Sequence, residues 1–333
     1  MKKTGSKYHR TLPDPGRRRL LRDLGLTAGA AAGFAALGFM SRNDYPVNRP
    51  EEPIHALKDF TVEPSTVRPQ LAVVRGADAD AMLREAVFKL GGIERFIAKG
   101  DRVLLKPNVG WDRQPEQAAN TNPDVVAAMV RLCIEAGAER VLVSDVSLND
   151  PKRCFVRSGI QQAAQDAGGD VRLPGSNDFL QTDMGGDLLK VWPVSRFFLE
   201  ADKVINLPVV KHHSLCGCTL AMKNWYGVLG GRRNQLHQRI HTSIVDLAAA
   251  LRPTLTVMDA TRVLKSNGPT GGSLDDVSIE NTIIAGTDEV AIDAYSLGFL
   301  DLAPDAVPFL AMGEQRGLGS VDWRTLRVVE SQV

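Results

Sequence analysis

Apolar positions change their period in a regular way from Leu71 onward. Leu71 to Arg75 reads as a strand from its unbroken apolar residues, Ala79 to Leu90 repeats its apolar residues at helical spacing, and Arg102 to Lys106 is continuous again. Asn122-Pro123-Asp124 opens a helix that runs through Glu135 and stops before Gly137, and Arg140 to Val146 reads as a strand. The pattern continues with a helix over Phe155 to Ala167, a strand over Lys203 to Leu207 and a helix over Ile240 to Leu251. Leu255 to Asp259 and Thr282 to Ala285 are further strands, and Glu289 to Leu300 a further helix. Alternation of this kind predicts an α/β fold with a largely parallel central sheet and helices on both faces.

The first seventy residues do not share that rhythm. Arg17, Arg18 and Arg19 precede Leu20 and Leu21, and an Ala- and Gly-rich apolar run follows from Leu24 to Met40. Basic, apolar and polar regions in that order form an export signal, here of the twin-arginine type. The run is too short and glycine-diluted for an ordinary membrane span, which takes about 20 apolar residues. Leu37, Gly38, Phe39 and Met40 make a poor small-x-small cleavage site, so an uncleaved tether stays open beside a released form. Pro46, Pro50, Pro53, Pro64 and Pro69 then mark an extended linker or a surface-draped arm. The plan is a signal over 1–40, a linker over 41–69 and one α/β domain over 70–333. The expected location is periplasmic or anchored on the outer side, and the expected partner is the twin-arginine export machinery.

Composition changes this picture in one respect. Of 333 residues, 44% are hydrophobic and 24% charged, an ordinary globular balance with a net charge of +1. Residues 1 to 22 carry eight Lys and Arg against Asp14 alone; without them 32 bases face 38 acids, a net of −6. A mildly acidic folded part excludes a nucleic-acid footprint.

In open α/β sheets ligands sit beyond the carboxyl ends of the strands. Those ends carry Lys106-Pro107-Asn108, Asp145, Lys211 with His212 and His213, Asp259, and Gly286-Thr287-Asp288. An Asp at a strand end also caps the next helix, an equal reading for Asp145 and Asp288. The densest stretch is Asn206 to Gly231, where a loop after the central strand is expected to lead through Cys216-Gly217-Cys218-Thr219 into a helix. Thr219 would cap it, with Lys223 and Asn224 one turn on. Free N–H groups there, beside Lys211 and Lys223, would hold an anion. Gly268 and Gly271 permit close approach to a ligand, although no nucleotide-loop pattern surrounds them.

His237 and His241 lie four apart, as two metal ligands on one helix face would, but without the glutamate of a hydrolytic HExxH site. His212 and His213 alternate in extended chain, so one of them enters the site. Cys216 and Cys218 are too close for an easy disulfide, and with His213 they could form a mixed metal site. Two cysteines do not hold an iron–sulfur cluster in the four-thiolate manner.

Lys106-Pro107-Asn108, Asn206-x-Pro208 with Lys211 and His213, and Thr219-x-x-x-Lys223-Asn224-x-x-Gly227 together resemble the family known as domain of unknown function 362. Asp246, Asp259, Gly268-Pro269 with Gly271, and Gly286-x-Asp288 with Asp293 fit the same pattern, and the resemblance spans roughly Leu71 to Leu300. It implies little about activity. Some members are joined to ferredoxin-like segments, which implies a redox partner, but no C-x-x-C-x-x-C run is present here.

The residues thus point to an exported enzyme acting on a small anionic molecule, with a cofactor or metal as assistant. Lys106, Asn108, Thr219, Asn224, Gly268 and Gly271 would bind. Lys211, His213, Lys223 and Asp259 would do the chemistry, with Cys216, Cys218 and His237 as metal ligands. The alternatives are an extracytoplasmic metal- or anion-binding protein and a cofactor-dependent isomerase or racemase.

Overall fold

The computed structural model describes residues 53–333 apart from Pro64 and Thr66. The segment expected to be a paired-arginine signal and the first part of the proline-rich segment lie outside the described residues. Within them, no helix is long and apolar enough to cross a membrane. Residues 53–63 carry no strand or helix, but Phe60 is buried edge-on against Phe198, with ring centroids 5.1 Å apart.

The body starts with β1 (Leu71–Arg75) and α1 (Ala79–Lys89), whose first N–H groups are capped by Asp78. β2 (Arg102–Pro107) leads to α2 (Pro123–Glu135), capped by Asn122 with Pro123 at its first turn. β3 (Arg140–Val143) follows. The helix expected over Phe155 to Ala167 is two helices, α3 (Pro151–Arg157) and α4 (Ile160–Asp166), because Gly159 between them takes a φ of 75°. Next come β4 (Asp170–Val171), the hairpin β5 (Phe179–Asp183) and β6 (Val191–Ser195), and α5 (Arg196–Glu200).

Pro208 ends β7 (Lys203–Leu207), and the chain resumes as β8 (Val209–His213), which turns back as β9 (Gly217–Thr219). The loop expected after the central strand is therefore a hairpin. Thr219 is a strand residue, and the helix expected after it is α6 (Ala221–Asn224), continued as a 3₁₀ turn over Trp225–Val228. A 3₁₀ segment over Arg233–Arg239 leads to α7 (Ile240–Ala250). β10 (Leu255–Leu264), β11 (Val277–Gly286), α8 (Glu289–Ser296), α9 (Pro308–Gln315) and β12 (Val328–Gln332) complete the chain.

The main sheet runs β12-β1-β11-β10-β7-β2-β3-β4. It is parallel except where β11 pairs with β1 and β10, and β8 with β9 extends it beyond β10. One core packs α1, α2 and α4 against one face, around Leu83, Val126, Leu105 and Ile205. The other gathers α6 to α9 around Trp225, Ile244, Ile292 and Leu310. Both faces are covered, as a parallel sheet requires. That leaves the carboxyl edge of β2, β3 and β7 as the place where side chains can converge.

Candidate functional site

Lys106 ends β2 directly opposite Asn206 of β7, so both project at the carboxyl edge. Lys211 of β8 lies opposite Thr219 of β9, and directly paired residues share a face. α6 adds Lys223 and Asn224, and the following segments add Tyr226, Gly227, Arg233 and His237. Together with Asn108, Asp145 and His213 all of these except Asn206 line a cavity of about 110 Å³, whose more apolar walls are Trp111, Leu148 and Pro269. A second cavity, of about 100 Å³, lies at the other end of β2 against Phe197 and Glu200.

A directed chain of amides runs behind the cavity. Glu289 Oε1 accepts from Asn206 Nδ2 at 2.6 Å, Asn206 Oδ1 from Asn224 Nδ2 at 2.8 Å, and Asn224 Oδ1 from Asn108 Nδ2 at 3.0 Å. Asn108 Oδ1 in turn accepts from Lys211 Nζ at 2.9 Å. Trp225 Nε1 and Thr256 Oγ1 also meet Glu289, whose pKa burial raises, and toward the Asn206 amide and the Trp225 indole it acts as acceptor. Its accepting role fixes the orientation of all three amides and leaves an oxygen facing Lys211.

The cations differ in how far they are satisfied. Lys106 Nζ donates to Pro107 O at 2.9 Å and Asn224 Oδ1 at 3.0 Å, and its charge is paired with Asp145 Oδ1 at 2.7 Å. Lys211 Nζ donates to Asn108 Oδ1 and, at 2.5 Å, to Ala119 O, keeping one donor for the cavity. Lys223 Nζ sits 4.8 Å above the Tyr226 ring. Arg233 donates to the carbonyls of Tyr226, Val146 and Ser147. Asp145 is the one carboxylate lining the cavity.

Burial lowers the affinity of these bases for protons. Lys211 falls to about 7, mainly through burial and then through the charge of Lys223. Burial also pulls Lys223 and Lys106 down, the latter opposed by Asp145. His213 is driven far below its ordinary value by burial and then by Lys223 and Lys211, so it is neutral at ordinary pH. Its Nδ1 accepts from Leu215 N at 3.1 Å, which leaves the proton on Nε2. His237 is also lowered, by burial first. Its Nδ1 stands 3.1 Å from Asn234 O, and because a carbonyl only accepts, Nδ1 carries the proton and Nε2 the lone pair. The two rings stack with centroids 6.3 Å apart, one imidazole ready to donate and the other to accept.

Of the residues singled out in the sequence, Lys106, Asn108, Lys211, His213, Thr219, Lys223, Asn224 and His237 line this one cavity. Others do not. Asp259 accepts from Asn122 N and from Thr261 N and Oγ1, so it ties the start of α2 to β10 and orients no histidine. Gly268 and Gly271 are packing positions. A Cβ on Gly268 would run into His212 O, and one on Gly271 into Leu264. His212 Nδ1 accepts from Gly268 N, so His212 anchors that loop while His213 enters the cavity. His241 stacks on Phe309 instead of joining His237.

Cys216 and Cys218 are buried in the core, with Cys216 Sγ 3.2 Å from Cys218 O. Burial pushes the Cys216 thiol up to about 11 and Cys218 well upward, away from the thiolate a metal takes. Among the described residues no three His, Cys, Asp or Glu side chains stand together as a metal would need, so Cys216, Cys218 and His237 do not form one site. The anion site expected at the start of α6 is also taken, since Asp293 accepts from Ala221 N and Met222 N. Asp145 caps no helix, whereas Asp288 caps α8.

Three features were missed. Arg233 follows the double glycine Gly230-Gly231, a turn signal that could have marked it. Tyr226 was hidden in an apolar helical pattern, and Trp111 in a loop. Gly227 has a steric role besides: a Cβ there would land on Asp145 Oδ1 and Lys106 Nζ, so only glycine lets the backbone pass the ion pair.

The family pattern of DUF362, a domain of unknown function, matches residues 103–298, a stretch that contains every residue of this cavity. The chain belongs to the DUF362 family. It is 29% identical over 247 residues to a thylakoid-associated protein of Synechocystis sp., covering 72% of this chain and 75% of that protein. Among solved structures it is similar to the lactate racemase apoprotein of Thermoanaerobacterium thermosaccharolyticum, with 12% identity and a TM-score of 0.39. That likeness covers 74% of this chain and 61% of the racemase chain. A Thermotoga maritima protein is similar at 11% identity and a TM-score of 0.33, over 71% of this chain and 58% of that one. Likeness at this level does not extend to chemistry.

Proposed function

We propose that this DUF362 protein is an enzyme that binds a small anionic molecule at the carboxyl edge of its sheet and moves a proton on it. Lys211, His213 and His237 are the acid–base groups, and Lys223, Thr219, Asn108 and the Lys106–Asp145 pair form the cradle. An organic anionic cofactor would use the same cradle as an anionic substrate. The observation that carries this reading is the Lys211 amine, buried between Asn108 and Ala119 and poised near 7. An ordinary lysine is fixed as ammonium at neutral pH. One balanced near neutrality can both give and take a proton, which is the condition for general acid–base work.

The test is solvent exchange. The protein in D₂O, offered small carboxylates and phosphate esters, should replace a substrate C–H by C–D in at least one, as followed by NMR. Lys211→Ala and His213→Ala should abolish that exchange while circular dichroism stays native. A fully active double variant would contradict the assignment. A cofactor-dependent isomerase is the form of this activity in which the exchanged product also changes configuration.

The second reading is capture without chemistry, favoured by the Thr219 hydroxyl, which is buried without a hydrogen-bond partner among the described residues and whose residue lines the cavity. Saturable anion binding with no exchange in any substrate would select it. Export by the twin-arginine route, to the periplasm or the outer membrane face, is part of the same proposal. It is supported by Arg17 to Arg19 and the apolar run behind them, and by the thylakoid association of the Synechocystis relative. Fractionation of cells carrying Arg17→Lys with Arg18→Lys tests it, retention in the cytoplasm being the expected result.

A further inference from the structure

The charges around the cavity bear on what kind of anion it takes. Lys106 and Asp145 cancel one another, and Lys106 also donates to Pro107 O and Asn224 Oδ1. Lys211, Lys223 and Arg233 remain, and Asp145 is the one acid among the lining residues. Arg233 spends its terminal nitrogens on three backbone carbonyls, which satisfy its hydrogen bonds without neutralising its charge. A bound anion favours the protonated forms of Lys211 and Lys223, and with both charged the three cationic groups in excess are poorly matched by a single negative charge.

Unused hydrogen-bonding capacity is placed in the same way. Thr219 Oγ1 is buried without a partner among the described residues, and Thr219 is 4% exposed. Thr219 pairs with Lys211 across the β8–β9 ladder, so both side chains reach the same side, where Lys211 has one donor left. Lys223, four residues on, is 7% exposed and has a ring face beside it in place of an acceptor. These groups line the same cavity as the apolar Trp111, Leu148 and Pro269. At about 110 Å³ the space is well short of a drug-sized or nucleotide pocket.

We propose that the ligand presents a doubly charged oxyanion, a phosphoryl, sulfuryl or dicarboxylate group, with oxygens on Lys223 Nζ, Thr219 Oγ1 and the free Lys211 donor. A short carbon body then lies against Trp111, Leu148 and Pro269. This deepens the small-anion reading and rests on it. It also gives Lys223 a recognition role distinct from the proton-transfer role of Lys211.

Calorimetric titration of the full chain tests it with anions matched in shape but not in charge, sulfate against methyl sulfate and malonate against malonamate, at constant ionic strength. Each dianion should bind at least about ten-fold more tightly than its singly charged partner, the effect expected from one further charge in a partly buried site. Lys223→Met should bring that ratio to about two-fold or less; Thr219→Val, which keeps the side-chain shape, should weaken both dianions and serves if Lys223→Met does not fold. Equal affinities within each pair in the wild-type protein would overturn the doubly charged ligand while leaving the small-anion reading in place. Binding of no anion at all would overturn both.

Discussion

Asp246, Asp259, Glu289 and Asp293 are buried carboxyl groups, and Lys211 and Lys223 are buried amines, yet their surroundings differ. Each acid is enclosed by donors. Asp246 takes the N–H groups of Asp187, Leu188 and Leu189 with Arg316, Asp293 those of Ala221 and Met222, and Glu289 an amide, a hydroxyl and an indole. The amines keep donors unspent and face a cavity. Satisfied burial holds a fold together, whereas unsatisfied burial is tolerated where a ligand completes it.

The sharpest way to break this comparison is to remove one member of each set. Asp293→Ala orphans two backbone N–H groups under α6 and should cost about 3 kcal/mol of stability, seen as an early midpoint in urea. Lys223→Met removes a charge that has no counter-ion among the described residues and should leave stability within about 1 kcal/mol of wild type. Equal losses in the two variants would dissolve the distinction.

Next in size is a pH effect. Lys211 titrates at about 7 in the folded protein and 10.5 as a free side chain, so across that window the unfolded chain holds a proton that the folded one has released. Stability therefore rises with pH through this group. Buried thiols such as Cys216 act in the opposite sense above their ordinary value of 9.0. Between about pH 7 and 9, then, the wild-type stability curve should climb more steeply than that of Lys211→Met, as denaturant midpoints across this range would reveal. Parallel curves would place the Lys211 proton elsewhere.

Gly227→Ala sharpens the comparison from the satisfied side of the site, because its methyl would separate Lys106 from Asp145. A loss of about 2 kcal/mol together with weakened anion binding is expected from the urea midpoint and calorimetry. The smallest effect is that of Glu289→Gln, which sets an amide N–H against Trp225 Nε1 while keeping an acceptor for Asn206. About 1 kcal/mol of destabilisation and a shifted pH dependence of exchange would mark the amide chain as coupled to Lys211.

Much of this was legible in the sequence where local chemistry decides it. β1, α1, β2, α2 and β7 follow from apolar periodicity, with Asn122 and Pro123 opening α2. Lys106, Lys211 and His213 could be gathered because each lies at or just beyond the carboxyl end of a predicted strand, and Lys223 because it follows Thr219 by one helical turn. The β8–β9 hairpin was not legible, since Lys211, His212 and His213 interrupt its apolar pattern and Pro208 looks like a terminator. Asp259 was misplaced for a related reason: its partner, Asn122, is 137 residues away, and nothing local separates a catalytic acid from a cap. The cysteine pair misled because proximity in sequence carries no information about which way each thiol faces.

The central claim is that unsatisfied lysines make the cavity an anion site. Thermal unfolding in sulfate and in chloride at equal ionic strength, for wild type and for Lys211→Met with Lys223→Met, tests it most directly. Sulfate stabilises proteins generally by exclusion from their surfaces, and that part should be common to both forms. A sulfate increment larger in wild type than in the double variant is the predicted result, because only the former has a site to fill. Equal increments would contradict the account.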